Sequence, residues 1–277
     1  MKMKGPIFVK KSKGYFQKFS QSKLAHSFMR CGTTESQARK FSRELKEKIT
    51  PNISTDRLRD LAIQKLKDAH PSSAARYELS RAVTKLGPTG YPFEKLVARI
   101  YESEGYRVQT NLILPGRCVG HEIDVRAEKE GKVILIECKF HHEAGSVSDL
   151  KTALYVKGRA DDLKNSSSHL SEHDRFALVT NTKFSGEAYQ FGTCAGLELV
   201  GWSVGEPFSL STRLEKSGLI PLTALSTLPR KVTEALMNRG IVTLLDFVDD
   251  STAWKLVPKN PRLLEVIQRE IDALLNL

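Results

Sequence analysis

The stretch GHEIDVRAEKEGKVILIECKFHH, running from Gly120 to His142, holds two strand-like runs around Glu130-Gly131. A turn centred on that dipeptide sets residues at equal distance from it face to face. Asp124 then opposes Glu137 and Glu122 opposes Lys139. Strict period-two alternation puts all four on one face. Carboxylates directly opposite one another repel. A divalent cation between them removes the conflict: oxygen from Asp124, Glu137, the Cys138 carbonyl and water suits Mg²⁺ or Mn²⁺. Lys139, two residues beyond Glu137, could orient a metal-bound water or offset charge on a phosphorane, as phosphodiester hydrolysis requires. The competing reading is a surface salt-bridge ladder. His141 and His142 with Cys138 lack a fourth ligand at a zinc spacing.

The residues around this hairpin alternate helix and strand. Pro92 opens an amphipathic helix with Phe93, Leu96, Val97, Ile100 and Tyr101 on one side and Gly105 at its stop, and YRVQTNLIL follows as a strand. After the hairpin come the helix VSDLKTALYVKGRADDLK, the buried strand RFALVTNT, the helix SGEAYQFGTCAG and the strand LELVGWSV. That order is an α/β core. KLGPTGYPFE, around Gly87 to Pro92, and GEPFSLSTRLEKSGLIP, around Gly205 to Pro221, are loop-like breaks. They divide the chain into segments 1–90, 91–207 and 208–277. The first predicts a hairpin (IFVKK, YFQKFS) and then helices, capped by Ser20 or Ser22, by Thr33 or Thr34, and by Ser54-Thr55-Asp56.

The formal net charge of the 277 residues is +11. Segment 1–90 holds 20 Lys and Arg against 7 Asp and Glu, 91–207 holds 14 against 17, and 208–277 holds 9 against 8. The basic excess lies wholly in the first third and fits a polyanion such as a nucleotide phosphate or nucleic acid. No apolar run approaches the ~18 residues that span a bilayer, and the first residues lack the apolar region of a signal peptide. A cytoplasmic location without membrane association is the expectation. Four scattered cysteines without a CxxC pair predict free thiols. No Walker A loop is present.

Three resemblances follow from these motifs. VKKSKGYFQKFS, SKLAHSF, ISTDRLRDLAIQKL and ARYELSRAV resemble the ATP-cone domain, the nucleotide-sensing module at the N-terminus of many ribonucleotide reductases. The resemblance implies that Lys10, Lys11 and Lys23 hold the phosphates of ATP or dATP as an effector; Lys13 stands where the family has Asp. YPFEKLVARIYESEGYRV, GHEIDV, VILIECK and LVTNTKFSGEAYQFGTCAGLELVGW resemble the PD-(D/E)xK restriction-endonuclease-like nucleases, most closely the Mrr-like branch. This implies an α/β/α core with catalytic Asp124, Glu137 and Lys139, and Glu94 as a helix carboxylate assisting the metal. The branch often has Gln where Glu137 stands, and His121 replaces a small residue.

LPRKVTEALMNRGIVTLLDFV is similar to helix-hairpin-helix modules and to the C-terminal domain of the RNA polymerase alpha subunit. That resemblance offers Arg230, Lys231 and Arg239 to DNA phosphate, with a small protein-binding helical module as the alternative. The expected whole is an α/β nuclease core between a mostly helical ATP cone with a short hairpin and a small all-helical C-terminal domain. Its expected activity is metal-dependent DNA cleavage responsive to ATP or dATP, with a role in restriction or defence. Cutting both strands would favour a homodimer. The alternative is a non-catalytic, nucleotide-responsive DNA-binding regulator.

Overall fold

The computed structural model describes residues 6–10, 15–69, 71–143, 145–166, 170–171, 173–205 and 207–275. Contacts divide the chain into two units between Glu78 and Leu79. In the first, strands β1 (Phe8–Lys10) and β2 (Phe16–Lys18) pair antiparallel as the expected hairpin. Helix α1 (Gln21–Met29) is capped by Ser20, whose Oγ accepts from Lys23 N at 3.3 Å, and α2 (Glu35–Lys48) by a Thr34–Gln37 capping box. Strand β3 (Ile53–Ser54) adds to β1 in parallel, an unexpected element only two residues long. Ser54 also caps α3 (Thr55–Ala69), accepting from Arg57 N at 3.1 Å. The unit's helical core centres on Phe28 and Leu66, both fully buried, with the Phe41 ring edge-on to Phe28 at 6.0 Å.

Helix α4 (Pro71–Thr84) carries the boundary between the units. Beyond it α5 (Tyr91–Ser103) precedes β4 (Arg107–Pro115), β5 (Gly120–Lys129) and β6 (Lys132–Lys139). Next come β7 (Val147–Ser148), α6 (Leu150–Lys164), β8 (Arg175–Thr180), β9 (Lys183–Phe184), α7 (Gly186–Cys194) and β10 (Glu198–Val200). The main sheet runs β10-β8-β6-β5-β4; β10, β8 and β6 are mutually parallel and the β6-β5-β4 meander is antiparallel. Asp149 caps α6, so this helix starts later than the sequence suggests, because Val147 and Ser148 pair with β9 instead.

Two cores sandwich the sheet. Phe93, Leu96, Val97, Ile100 and Tyr101 of α5 pack on Val125, Ala127, Ile134 and Ile136. On the opposite side Ala153, Val156, Ala160 and Leu163 of α6 pack on Val133, Leu135, Phe176 and Leu178. This is the α/β/α arrangement expected.

The break from Gly205 to Pro221 contains a helix, α8 (Leu210–Ser217), capped by Ser209 and ended by Gly218 at φ +64°. Arg213 of α8, with 7% of its side chain exposed, makes a two-pronged bond to Glu104 at 2.8 and 2.6 Å and stacks on Tyr101 at 4.0 Å. Three further helices follow, α9 (Arg230–Asn238), α10 (Leu244–Asp249) and α11 (Pro261–Leu275). Leu222–Ala224, between α8 and α9, forms only a three-residue 3₁₀ turn. The leucines of this all-helical region, Leu210, Leu214, Leu222 and Leu236 among them, join the α5 core rather than a separate one. Val83 and Leu86 enter the same core, so packing groups residues 79–275 where sequence punctuation divides them at 90 and 207.

Candidate active site

The β5-β6 turn has the two positive φ values of a tight hairpin, Glu130 at +53° and Gly131 at +74°. Its register is the expected one, from Lys129 opposite Lys132 to Val125 opposite Ile136. There the ladder stops. Asp124 Oδ2 accepts the Cys138 backbone N–H at 2.7 Å, a charge-assisted bond in place of a strand-to-strand one. Glu122 and Lys139 consequently do not pair; Glu122 lies opposite Ile113 of β4.

Strict alternation also fails at this point. The β4-β5 ladder skips Asn111 and Asp124, and Asn111 sits in the left-handed region at φ +56°. Val125 and Ala127 then face the α5 core, whereas Ile123 faces the α6 core. The expectation of four charges on one face is therefore corrected. What brings the acids together is the local break in the strand, with the α5 and α6 layers supplying groups from both sides.

From α5 comes Glu94. Burial, then Asp124 and Glu122, push its carboxyl up to about 7 against the pull of Lys95. Burial, then Asp124, likewise push Glu137 up to about 7, opposed by Arg159 and Lys139 and aided by Glu94. Burial raises Asp124 too, against the Cys138 N–H and Arg159. Glu94, Asp124 and Glu137 thus lie near enough for Asp124 to act on both glutamates.

Lys139 ends β6 exposed, and among the described residues no ion pair to its ammonium is found. Its backbone is held firmly: the carbonyl accepts from Thr180 Oγ1 at 2.8 Å, and the next turn is clasped by Asn181, which bonds both the N–H and the carbonyl of His141 at 2.8 Å. His141 Nε2 meets Ser148 Oγ at 3.0 Å, and His142 packs edge-on against Phe140. Neither histidine turns towards a zinc set.

Sequence reasoning missed Arg159 of α6, whose Nη1 donates to Glu137 Oε2 at 2.5 Å. A signal existed: Val156, Arg159 and Leu163 follow helical spacing, placing a charge on the edge of the buried stripe. His121 also gains an explanation. Its Nε2 meets Asp162 Oδ2 at 2.8 Å, and Asp162 accepts the N–H groups of Cys118 and Val119 at 2.8 and 3.3 Å, pinning the β4-β5 loop to α6.

Burial works to raise the Asp162 carboxyl, but His121, Cys118 and the two backbone N–H groups outweigh it and hold it at about 2. An ordinary carboxyl titrates near ~4. The stability this group contributes is thus complete above that value and is lost as the pH falls towards 2. Thermal melts should show Asp162→Asn below the unaltered protein at neutral pH, with the two converging as the pH drops through this window. An offset that stays constant with pH would contradict the assignment.

Of the proposed nucleotide-binding lysines, Lys10 ends β1 and Lys23 lies in the first turn of α1, both exposed; Lys11 falls outside the described residues. Arg230, Lys231 and Arg239 are exposed at the two ends of α9, with Arg230 paired to Glu234 at 2.7 Å. No described helix is long and apolar enough to cross a membrane.

Among the described residues no group of three or more His, Cys, Asp or Glu stands ready to hold a metal ion. The donor chemistry nonetheless fits a hard divalent cation. Glu94 and Glu137 are both partly buried and both raised by Asp124, a charge conflict that a divalent cation would relieve.

Comparison with known proteins agrees with this architecture. A family model for the ATP cone domain matches residues 7–86 and one for a restriction endonuclease domain matches residues 88–202. An uncharacterized protein of Archaeoglobus fulgidus is 38% identical over 152 residues, which cover 55% of this chain and 83% of that protein. The crystal structure of AF1548, a protein of unknown function, superposes with a TM-score of 0.58 at 32% identity, covering 68% of this chain and 100% of AF1548. MspJI restriction endonuclease in complex with a 27-mer oligonucleotide aligns at a TM-score of 0.34 and 17% identity over 70% of this chain and 39% of that one, too distant to carry an argument.

Fold and matches together define an N-terminal ATP cone followed by a restriction-endonuclease-like domain. The chain belongs to the same family as the Archaeoglobus fulgidus protein.

Proposed function

We propose that the protein is a metal-dependent endonuclease acting on DNA, with its ATP cone binding ATP or dATP as an effector. The observation that carries this reading is the convergence of Asp124, Glu137 and Glu94 at the broken end of the β5-β6 ladder, with Lys139, which has no ion pair among the described residues, at the same strand end.

Asp124 and Glu137, with the Cys138 carbonyl, would hold Mg²⁺ or Mn²⁺, and Glu94 would assist from α5. When bound, such an ion supplies Lewis-acid stabilisation and a water of lowered pKa. The chain's own contribution is positional. Asp124 is fixed by the Cys138 N–H, and the Lys139 ammonium would offset the negative charge that grows on the phosphoryl oxygens during attack. Lys10, Lys11 and Lys23 would take the nucleotide phosphates, consistent with the basic excess of the first third.

The test is cleavage of modified and unmodified duplex DNA by the full chain with Mg²⁺, with Mn²⁺ and with chelator, each with and without ATP or dATP. Product should form only with the metal, and nucleotide should change its rate. Equal product in chelator, or none under any condition, would reject the reading.

A further inference from the structure

Glu137 is already paired with a cation from its own chain. Arg159 Nη1 lies 2.5 Å from Glu137 Oε2, and the two side chains are only 11% and 23% exposed. The guanidinium carbon sits 5.2 Å from the ring centroid of Tyr155, one turn earlier on α6, and Tyr155 is itself 60% exposed. The same guanidinium draws the Asp124 carboxyl down. Arg159 thus stands against both acids proposed to hold the metal.

The pairing is incomplete in a telling way. A guanidinium is a planar fork of five donors that matches a carboxylate with two parallel bonds. Here the bond to Glu137 is single, and the buried Nε has no hydrogen-bond partner among the described residues. A small cavity adjoins the pair, and besides Glu137 the side chains around it, among them Ile123, Leu135, Val156, Leu163 and Phe176, offer no acceptor. Arg213 provides the contrast within the same unit, since both prongs of its fork meet Glu104. An architectural ion pair has reason to look like Arg213; the Arg159 pair is held by charge more than by fit.

We infer that Arg159 is a resident counter-cation, which occupies Glu137 while no metal is bound and gives it up when a divalent ion arrives, thereby setting the metal affinity of the site. This rests on the metal-dependent reading of that site. A divalent ion bridging Asp124 and Glu137 would stand next to the guanidinium charge, and like charges at such range in a partly buried setting repel strongly. The exposed ring of Tyr155 already flanks the guanidinium while it is paired with Glu137, and it remains a partner when Glu137 is given up. Arg159 is in this sense a positioning residue for Glu137.

The experiment compares the full chain with Arg159→Gln and Arg159→Lys, by thermal melting with and without saturating Mg²⁺ and by calorimetric titration with Mn²⁺. Without metal, Arg159→Gln should melt below the unaltered protein, since Glu137 and Asp124 lose their counter-charge; saturating Mg²⁺ should close that gap. Its Mn²⁺ dissociation constant should fall roughly tenfold. Arg159→Lys, which keeps the charge, should stay near the original affinity.

An equal melting gap with and without Mg²⁺, or unchanged or weaker Mn²⁺ binding by Arg159→Gln, would overturn the inference while leaving the metal-dependent reading intact. An unaltered protein that binds neither ion would overturn both. Should the variants not fold, NMR of the Arg159 Nε–H in the unaltered protein decides: added Mg²⁺ should speed its exchange with solvent, and unchanged protection would count against displacement.

Discussion

Lys139→Ala is expected to lower metal-dependent DNA cleavage by about 10²–10³-fold, the usual loss when one preorganised group that stabilises transition-state charge is removed. The side chain is exposed, and its backbone contacts, the β8 ladder and the Thr180 bond, do not depend on it. Stability should therefore change by no more than about 0.5 kcal/mol. That separation of activity from folding is what makes the variant informative. Asp124→Asn should be at least as inactive, and it retains an oxygen to accept the Cys138 N–H, whereas Asp124→Ala would leave that buried donor orphaned at a cost of about 1–3 kcal/mol. Rates of plasmid nicking beside chemical-denaturation curves provide the measurement. Undiminished cleavage by folded Lys139→Ala would remove this residue from the chemistry.

The largest effect on stability is expected from Phe93→Ala, about 3–5 kcal/mol. Phe93 is fully buried in the α5 core, one residue before Glu94, and its ring lies 5.6 Å from that of Phe140, which directly follows Lys139. Truncation leaves a cavity between α5 and the strand end that carries the site. The loss should register as a lower guanidinium midpoint with an unchanged slope, since the surface exposed on unfolding stays nearly the same. A change below about 1 kcal/mol would mean that α5 closes over the gap, contrary to close packing against a rigid sheet.

Much of this site was legible because short-range rules govern it. A two-residue turn at Glu130-Gly131 determines the hairpin register, and the stripe Phe93, Leu96, Val97, Ile100 and Tyr101 is buried throughout, as its spacing predicts. The rest depends on partners distant in sequence. The left-handed turn at Asn111 breaks alternation at Asp124, and no periodicity argument anticipates it. Arg159 is an ordinary charged helical residue until α6 is laid against β6. Strands of two residues, such as β3, β7 and β9, are too short to carry a pattern and exist by virtue of the strands they join. Helix α8 was obscured by the Gly and Pro that delimit it, and its leucines reveal their destination only through packing.

The shared core of residues 79–275 has a consequence for engineering and for descent. A region that looks like a detachable cassette, entered after a Gly- and Pro-containing loop, is the covering layer of the main sheet's α5 side. Recombination at residue 207, whether by gene fusion or by design, would graft a half-clad sheet that exposes apolar surface and invites aggregation. Residues 79–275 pack as one unit, and in the C-terminal helices substitution is free only at surface positions such as Arg230, Lys231 and Arg239, while the inner faces stay answerable to α5.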